Sequence, residues 1–295
     1  MGTDSRIYKG DRDGQKVSQV EPAPRVHPDS EGPPLVEIIS IGTELCRGQT
    51  TDTNAQYLAW SLTRRGARVV RVTTVPDDEQ AITAAIHAGL EAGCSLVVTS
   101  GGLGPTADDR TLRATADALG VPLTIHTGAK AMVEAAYHRL KERRIVAHDG
   151  LNRSREKLCA LPLGGEPLAN EYGIAPGVRV NLPGGATVVN LPGLPEEMRA
   201  TWKGTTPGLR MLHEKPATAI RDVEAPTLDE TVLRPWLDKV RKDFPSVWIQ
   251  THTPGFRHKS RGIRVTFEAD AGTKHEAELA VEGALRRLLA LAGTG

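Results

Sequence analysis

Two runs of secondary-structure signals predict an α/β protein with a largely parallel sheet, followed by a small α+β domain. Strands alternate with helices from residue 35 to about 204, and a shorter strand–helix–strand–strand–helix series closes the chain. The strands are continuous apolar runs such as LVEIISI (35–41) and SLVVTS (95–100), a pattern suited to a sheet covered on both faces.

Residues 1–34 are polar and charged, end in Gly32-Pro33-Pro34 and show no hydrophobic periodicity, which predicts a disordered tail. TNAQYLAWSLTRRG (53–66) has helical spacing and a glycine stop, and ARVVRVTTV (67–75) reads as the next strand. Asp77 and Asp78 are placed to cap a helix over 79–92. After the strand at 95–100, Asp109 to Leu119 reads as a helix closed by Gly120. A short strand (121–126) and a polar helix (128–144) follow. Residues 145–177, rich in Pro, Gly and Asn, carry no clear assignment. VRVNL (178–182) and ATVVNL (186–191) flank Pro183-Gly184-Gly185 as a strand pair, and a helix over 195–204 starts near Pro195. These elements define a first domain over 35–206. Thr205-Thr206-Pro207-Gly208 opens a linker, and strands at 217–223, 246–251 and 262–269 with helices at 228–242 and 273–291 make a second domain over 216–292.

The 37 basic and 36 acidic residues leave a net charge of +1, so global electrostatics gives no case for nucleic acid or a membrane surface. No stretch approaches the roughly 18 apolar residues of a membrane span, and the N-terminus lacks the apolar core of a secretory signal. The three cysteines, at 46, 94 and 159, form neither a disulfide framework nor a zinc pattern, which predicts a reducing, cytoplasmic setting. The basic run Arg257-His258-Lys259-Ser260-Arg261 reads as a solvated loop.

The strongest chemical signal is GGLGPTADDRT (101–111), which follows a buried strand and opens a helix. Gly101, Gly102 and Gly104 let backbone N–H groups approach a ligand, and a helix N-terminus adds unpaired donors and partial positive charge, a combination that holds phosphate. Thr106 belongs to the same cradle. Asp108 and Asp109 would repel a phosphate unless a divalent cation, Mg²⁺ or Mn²⁺, stood between them. The same acids also suit capping: Thr106 and Asp109 have capping-box-like spacing, and Asp108 fits an N-cap. GTELCRG (42–48) and Asp52-Thr53-Asn54 lie on the same sheet edge and add Glu44 and Asp52 to the mouth. NEYGIAPG (170–177) and LPGLPEEM (191–198) carry rigid Pro-Gly turns, contributing Asn170 and Gly193.

Together IGTELCRGQTTDTN, GGLGPTADDRT, NEYGIAPG and LPGLPEEM resemble, in order and spacing, the molybdopterin-binding (MoaB/Mog-like) domain of the competence/damage-inducible protein A (CinA) family. The likeness covers residues 35–204. The domain at 216–292 and the stretch REKLCALP (155–162) look like the short archaeal-type members. The resemblance implies a three-layer α/β sandwich, a homodimer, and divalent-metal-dependent pyrophosphatase activity on ADP-ribose-type nucleotides. It implies site roles for Asp109 and Asp52. On a metal-dependent reading of the mouth, Asp109 with Asp108 or Asp52 holds the metal and Glu44 orients water. The alternative is a pterin- or nucleotide-binding protein of cofactor metabolism without hydrolysis. Ile174 stands where the family usually has Thr or Ser, and Ser100 where Thr is frequent. The nicotinamide-nucleotide deamidase domain of long members is not expected, because the chain ends at Gly295.

Overall fold

The computed structural model describes residues 32–212, 217–225, 227, 229–252 and 262–293. The expected tail up to residue 31, the linker residues 213–216 and the basic run at 257–261 lie outside the described residues. The chain divides into two compact units. One runs to Trp60 and resumes over Ala67–Met211; the other comprises Ser61–Gly66 and Leu212–Gly295.

In the first unit, β1 (Leu35–Ile41) leads through a single turn, α1 (Thr43–Cys46), to α2 (Thr53–Thr63) and β2 (Arg68–Val75). Next come α3 (Glu79–Glu91), β3 (Leu96–Ser100), α4 (Thr111–Ala118), β4 (Leu123–Ile125) and α5 (Thr127–Glu142). The segment without a sequence assignment holds α6 (Arg153–Lys157), β5 (Ala160–Pro162) and β6 (Gly165–Leu168). β7 (Gly177–Asn181), β8 (Thr187–Leu191) and α7 (Pro195–Thr205) complete the unit. The main sheet has the order β2-β1-β3-β8-β7-β6. Its first four strands are parallel; β7 runs antiparallel to β8, and β6 to β7. β4 and β5 form a separate antiparallel pair.

Burial explains the continuous apolar strands. All five residues of β3 and of β8 are buried, so each needs helices on both faces. On one face Ile39, Val97 and Val188 pack with Ile82 and Ile86 of α3 and Ala114 of α4. The alternate residues Ile38, Val98 and Val189 are also fully buried, as are Leu58 of α2 and Met198 of α7. Helix, sheet and helix make the three layers expected for this fold. One carboxylate lies inside. Glu37, 1% exposed, accepts hydrogen bonds from Arg71 Nε at 2.8 Å, Arg71 Nη2 at 2.5 Å and Thr73 Oγ1 at 2.9 Å. Gly89 on α3 makes room for it, since a Cβ there would stand 2.7 Å from Glu37 Oε2.

Two capping expectations are corrected. Asp78 alone caps α3, accepting from Ala81 N at 2.9 Å, whereas Asp77 reaches back to Thr43. α4 begins at Thr111, not Asp109; its cap position is Arg110, whose side chain makes no capping bond, so neither Asp108 nor Asp109 caps that helix.

The second unit contains β9 (Ala217–Ala225), α8 (Glu230–Asp243), β10 (Val247–His252), β11 (Ile263–Ala271) and α9 (Lys274–Leu291). Its antiparallel sheet has the order β10-β11-β9. Alternate β11 residues Ile263, Val265, Phe267 and Ala269 join Leu233, Leu237 and Val240 of α8 and Val281 and Leu288 of α9 in one core. A capping box between Thr273 and Glu276 starts α9.

Candidate functional site

The loops that follow β1, β3 and β8 all leave the sheet at the carboxyl ends of parallel strands, the edge where α/β sheets hold ligands. They line a cavity of about 1030 Å³ that lies wholly in the first unit.

The glycine loop forms its floor. Gly101 has φ +115 and a Cβ there would lie 2.2 Å from Ile41 O; Gly102 has φ +65 and would strike Thr111 Oγ1. At Gly101 the clash is with backbone, and at Gly102 a side chain would combine an unfavourable left-handed conformation with a clash against the buried Thr111 hydroxyl, so both positions strongly favour glycine. Thr111, fully buried, donates from Oγ1 to Gly101 O at 2.7 Å and from N to Gly102 O at 3.2 Å, which pins the loop to the start of α4. Gly104 carries the Asp109 carboxylate on its open face, where a Cβ would be 2.6 Å from Asp109 Oδ2. That oxygen accepts from Thr106 N at 2.9 Å and Thr106 Oγ1 at 2.6 Å. Asp109 thus closes the Thr106 turn while still lining the cavity, whereas Asp108 is exposed and does not line it.

The β1 loop is held by Asp77, which accepts from both Thr43 N and Thr43 Oγ1 at 2.8 Å. Glu44 folds its carboxylate over Gly42, whose Cβ would lie 2.5 Å from Glu44 Oε1. Asp52 accepts from Ala55 N at 2.9 Å, a capping bond in the first turn of α2. Asn54, the second residue of α2, donates from Nδ2 to Ser100 Oγ at 2.9 Å and to Gly193 O at 2.7 Å. It thereby ties the ends of β1, β3 and β8 together. Gly193 passes so close to the glycine loop that a Cβ would be 3.3 Å from Gly101 Cα. The residues opening α2 (51–54) and α7 (193–195) both line the cavity, and Leu194 at the cap of α7 makes no side-chain bond. Two helix N-termini thus converge here, α2 capped by Asp52 and α7 without a side-chain cap.

Asn170 does not line this cavity. Its amide is spent on its own loop and on α7: Nδ2 donates to Ala175 O at 2.9 Å and to Glu197 Oε2 at 2.7 Å, and Oδ1 accepts from Gly173 N at 2.9 Å. It shapes the 171–175 wall from behind.

Among the described residues, no three His, Cys, Asp or Glu side chains gather into a metal-holding group. Asp52, Asp108 and Asp109 are not brought together as one ligand set. The two that line the cavity, Asp52 and Asp109, already accept backbone N–H bonds.

Several site residues had weak sequence signals. Asn54 and Glu197 sit inside the quoted motifs yet look like ordinary helix residues there. Lys157 lies on α6, in the segment with no periodic pattern, and donates from Nζ to Thr106 O and to Asp109 O at 2.6 Å. Burial pulls its ammonium below the usual lysine range, against the upward pull of Asp109. Arg139, in the last turn of α5, and Arg143, at its C-cap, also line the cavity and had no local motif at all.

Residues 37–211 match the family profile of a "probable molybdopterin binding domain". A protein from Aeropyrum pernix is 37% identical over 256 residues, spanning 86% of this chain and 92% of its own length. One from Pyrobaculum calidifontis is 35% identical over 261 residues, spanning 88% of this chain and 95% of its own. Among solved structures, the protein CinA, of unknown function, from Thermoplasma acidophilum is similar at a TM-score of 0.54 and 35% identity; the match covers 59% of this chain and 98% of that one. No described helix is long and apolar enough to cross a membrane.

Proposed function

Because the chain belongs to the probable molybdopterin binding domain family through residues 37–211, we propose that its cavity binds a phosphate-bearing pterin or nucleotide of cofactor metabolism. One observation carries the reading: the glycine loop and the N-termini of α2 and α7 open into the same cavity at the carboxyl edge of a parallel sheet. Backbone donors and partial positive charge then meet the phosphate, while Asn54 keeps the three loops in register. A cytoplasmic homodimer is part of the same proposal.

A second reading, hydrolysis of a diphosphate linkage in an ADP-ribose-type nucleotide, is favoured by Glu44, Asp52 and Asp109 lining that cavity. Mg²⁺ and Mn²⁺ suit this donor set only if phosphate oxygens complete it, since one or two carboxylates plus substrate phosphates are a common Mg²⁺ arrangement. Bound that way, a divalent ion would supply charge stabilisation and a more acidic water. Glu44 would orient the attacking water, and Asp109 would keep the glycine loop closed around the phosphates.

The test is equilibrium titration with a phosphorylated pterin, ADP-ribose, FAD and NAD, beside a turnover assay with and without Mn²⁺. Saturable binding without turnover supports the first reading. Mn²⁺-dependent release of nucleoside monophosphate moves the assignment to the second. No binding of any probe refutes both.

A further inference from the structure

We infer that Arg139 and Arg143 select a ligand carrying a second anionic group, separate from the phosphate at the glycine loop. The inference rests on the binding reading above and adds the other end of the molecule.

Arg139 on α5 and Arg143, the residue capping its C-terminus, lie one turn apart, Arg143 N donating to Arg139 O at 3.1 Å, and so share one side of the helix end. Both line the cavity, and both are exposed. Three other cations of this region are engaged. Lys141 Nζ donates to Asp149 Oδ1 at 2.8 Å, Arg155 stacks on the Tyr137 ring at 3.7 Å and donates to Gly150 O at 2.6 Å, and Lys157 holds the glycine loop. Among the described residues neither the Arg139 nor the Arg143 guanidinium has an ion-pair or hydrogen-bond partner. Glu171 lines the same cavity but pairs with neither. An arginine fork facing a cavity is suited to phosphate or carboxylate.

The cavity lining also carries apolar side chains. Leu140 and Ile174 are half-buried, while Ile145 is 57% and Tyr172 69% exposed, and all four line the cavity. This strip gives a flat ring somewhere to lie. The cavity volume of about 1030 Å³ stands at the top of the roughly 300–1,000 Å³ range of small-molecule sites, which leaves room for more than a single phosphorylated ring. The alternative explanation is local: arginines near a helix C-terminus interact favourably with the helix dipole whether or not a ligand is present.

The experiment compares ADP-ribose with its 2′-phosphorylated and 1″-phosphorylated forms, which add a phosphate at either end. Titrations use the full chain at low ionic strength, wild type and the double variant R139Q/R143Q, each with a melting curve. We expect at least one phosphorylated form to bind the wild type tighter than ADP-ribose by about threefold to tenfold, the yield of two exposed ion pairs. In the double variant that preference disappears, and added salt erases the wild-type preference. Equal binding of all three by the wild type, or a preference that survives in the variant, overturns the inference and leaves the binding reading standing. A helix-dipole role alone would lower the melting temperature and leave the preference intact, which also overturns it. Failure of the wild type to bind any of the three removes the binding reading as well.

Discussion

Replacing Asp109 by Asn separates its two tasks, because the substitution keeps the shape and removes the charge. Asp109 Oδ2 accepts two bonds from Thr106, at 2.9 and 2.6 Å. A hydrogen bond to a charged group is worth about 1.5–3 kcal/mol and a neutral one about 0.5–1.5 kcal/mol. Asn retains a carbonyl oxygen in the same place, so each bond weakens by about 1 kcal/mol at most, less where water reaches it. A total cost of about 1–2 kcal/mol lowers the melting temperature of a unit this size by about 3–6 °C. The effect on the ligand has the opposite sign. A carboxylate roughly 6 Å from a phosphate, at an effective dielectric near 20, repels it by about 3 kcal/mol, and salt reduces that to about half. In metal-free buffer Asp109→Asn should therefore tighten ADP-ribose binding by about tenfold. The assay is isothermal titration with chelator present, repeated at saturating Mn²⁺, where the gain should vanish or reverse if hydrolysis is the function. Weaker metal-free binding with an unchanged melting curve would show that Asp109 contacts the ligand favourably, and would refute this account of the cavity's electrostatics.

Asn54→Ala removes the tie between Ser100 and Gly193; it should cost about 1–2 kcal/mol and weaken ADP-ribose binding, read by denaturant melts and titration. Equal affinity would show that the three loops hold their places without it. Glu37→Ala leaves Arg71 without its partner and empties a buried site; because Arg71 is half-exposed, the loss should sit at the low end of the 3–5 kcal/mol range for broken buried pairs, about 3 kcal/mol in urea unfolding. Hydrogen bonds from Lys141 and His138 hold the Asp149 carboxyl well below the usual aspartate range. Its folded pKa lies below its unfolded one, so the unfolded chain binds more protons in that interval. The stabilisation is present above the usual aspartate range and is lost as pH falls toward the folded value. Asp149→Asn should flatten the acid side of the stability–pH curve, and an unaltered curve would mean that this cluster contributes nothing.

The parallel core was legible because LVEIISI and SLVVTS can be continuous and apolar only if both faces are covered, and the structure covers both. The glycine loop was legible for a different reason: positive φ and tight contacts at Gly101 and Gly102 strongly favour glycine there. Asp77 was misread because a cap and a long-range loop anchor look identical in sequence; the bond to Thr43 spans 34 positions. The region 145–177 stayed closed to sequence reading because α6, β5 and β6 are three to five residues long, too short to show a period. That concealed Lys157, whose partners are backbone carbonyls and leave no trace in the residue types around it. Arg139 and Arg143 are two arginines on a helix already rich in polar residues, and only the cavity marks them out.

The strand order has a consequence for how the molecule comes into being. β8 sits directly beside β3 in the sheet, yet their paired residues are 91 positions apart, from Leu96 with Thr187 to Ser100 with Leu191. During synthesis β3 is made long before its neighbour, and one of its edges stays unpaired in the meantime, a stretch of five apolar or hydroxylated residues with no charge to guard it. Such late, non-local pairing is slow and exposes the chain to wrong partners. The bond from Asn54 to Gly193, across 139 positions, can form only after β8 has inserted. A ligand bound as proposed would therefore reward only the finished sheet: by mass action it would stabilise the last step of assembly and do nothing for the vulnerable stages before it.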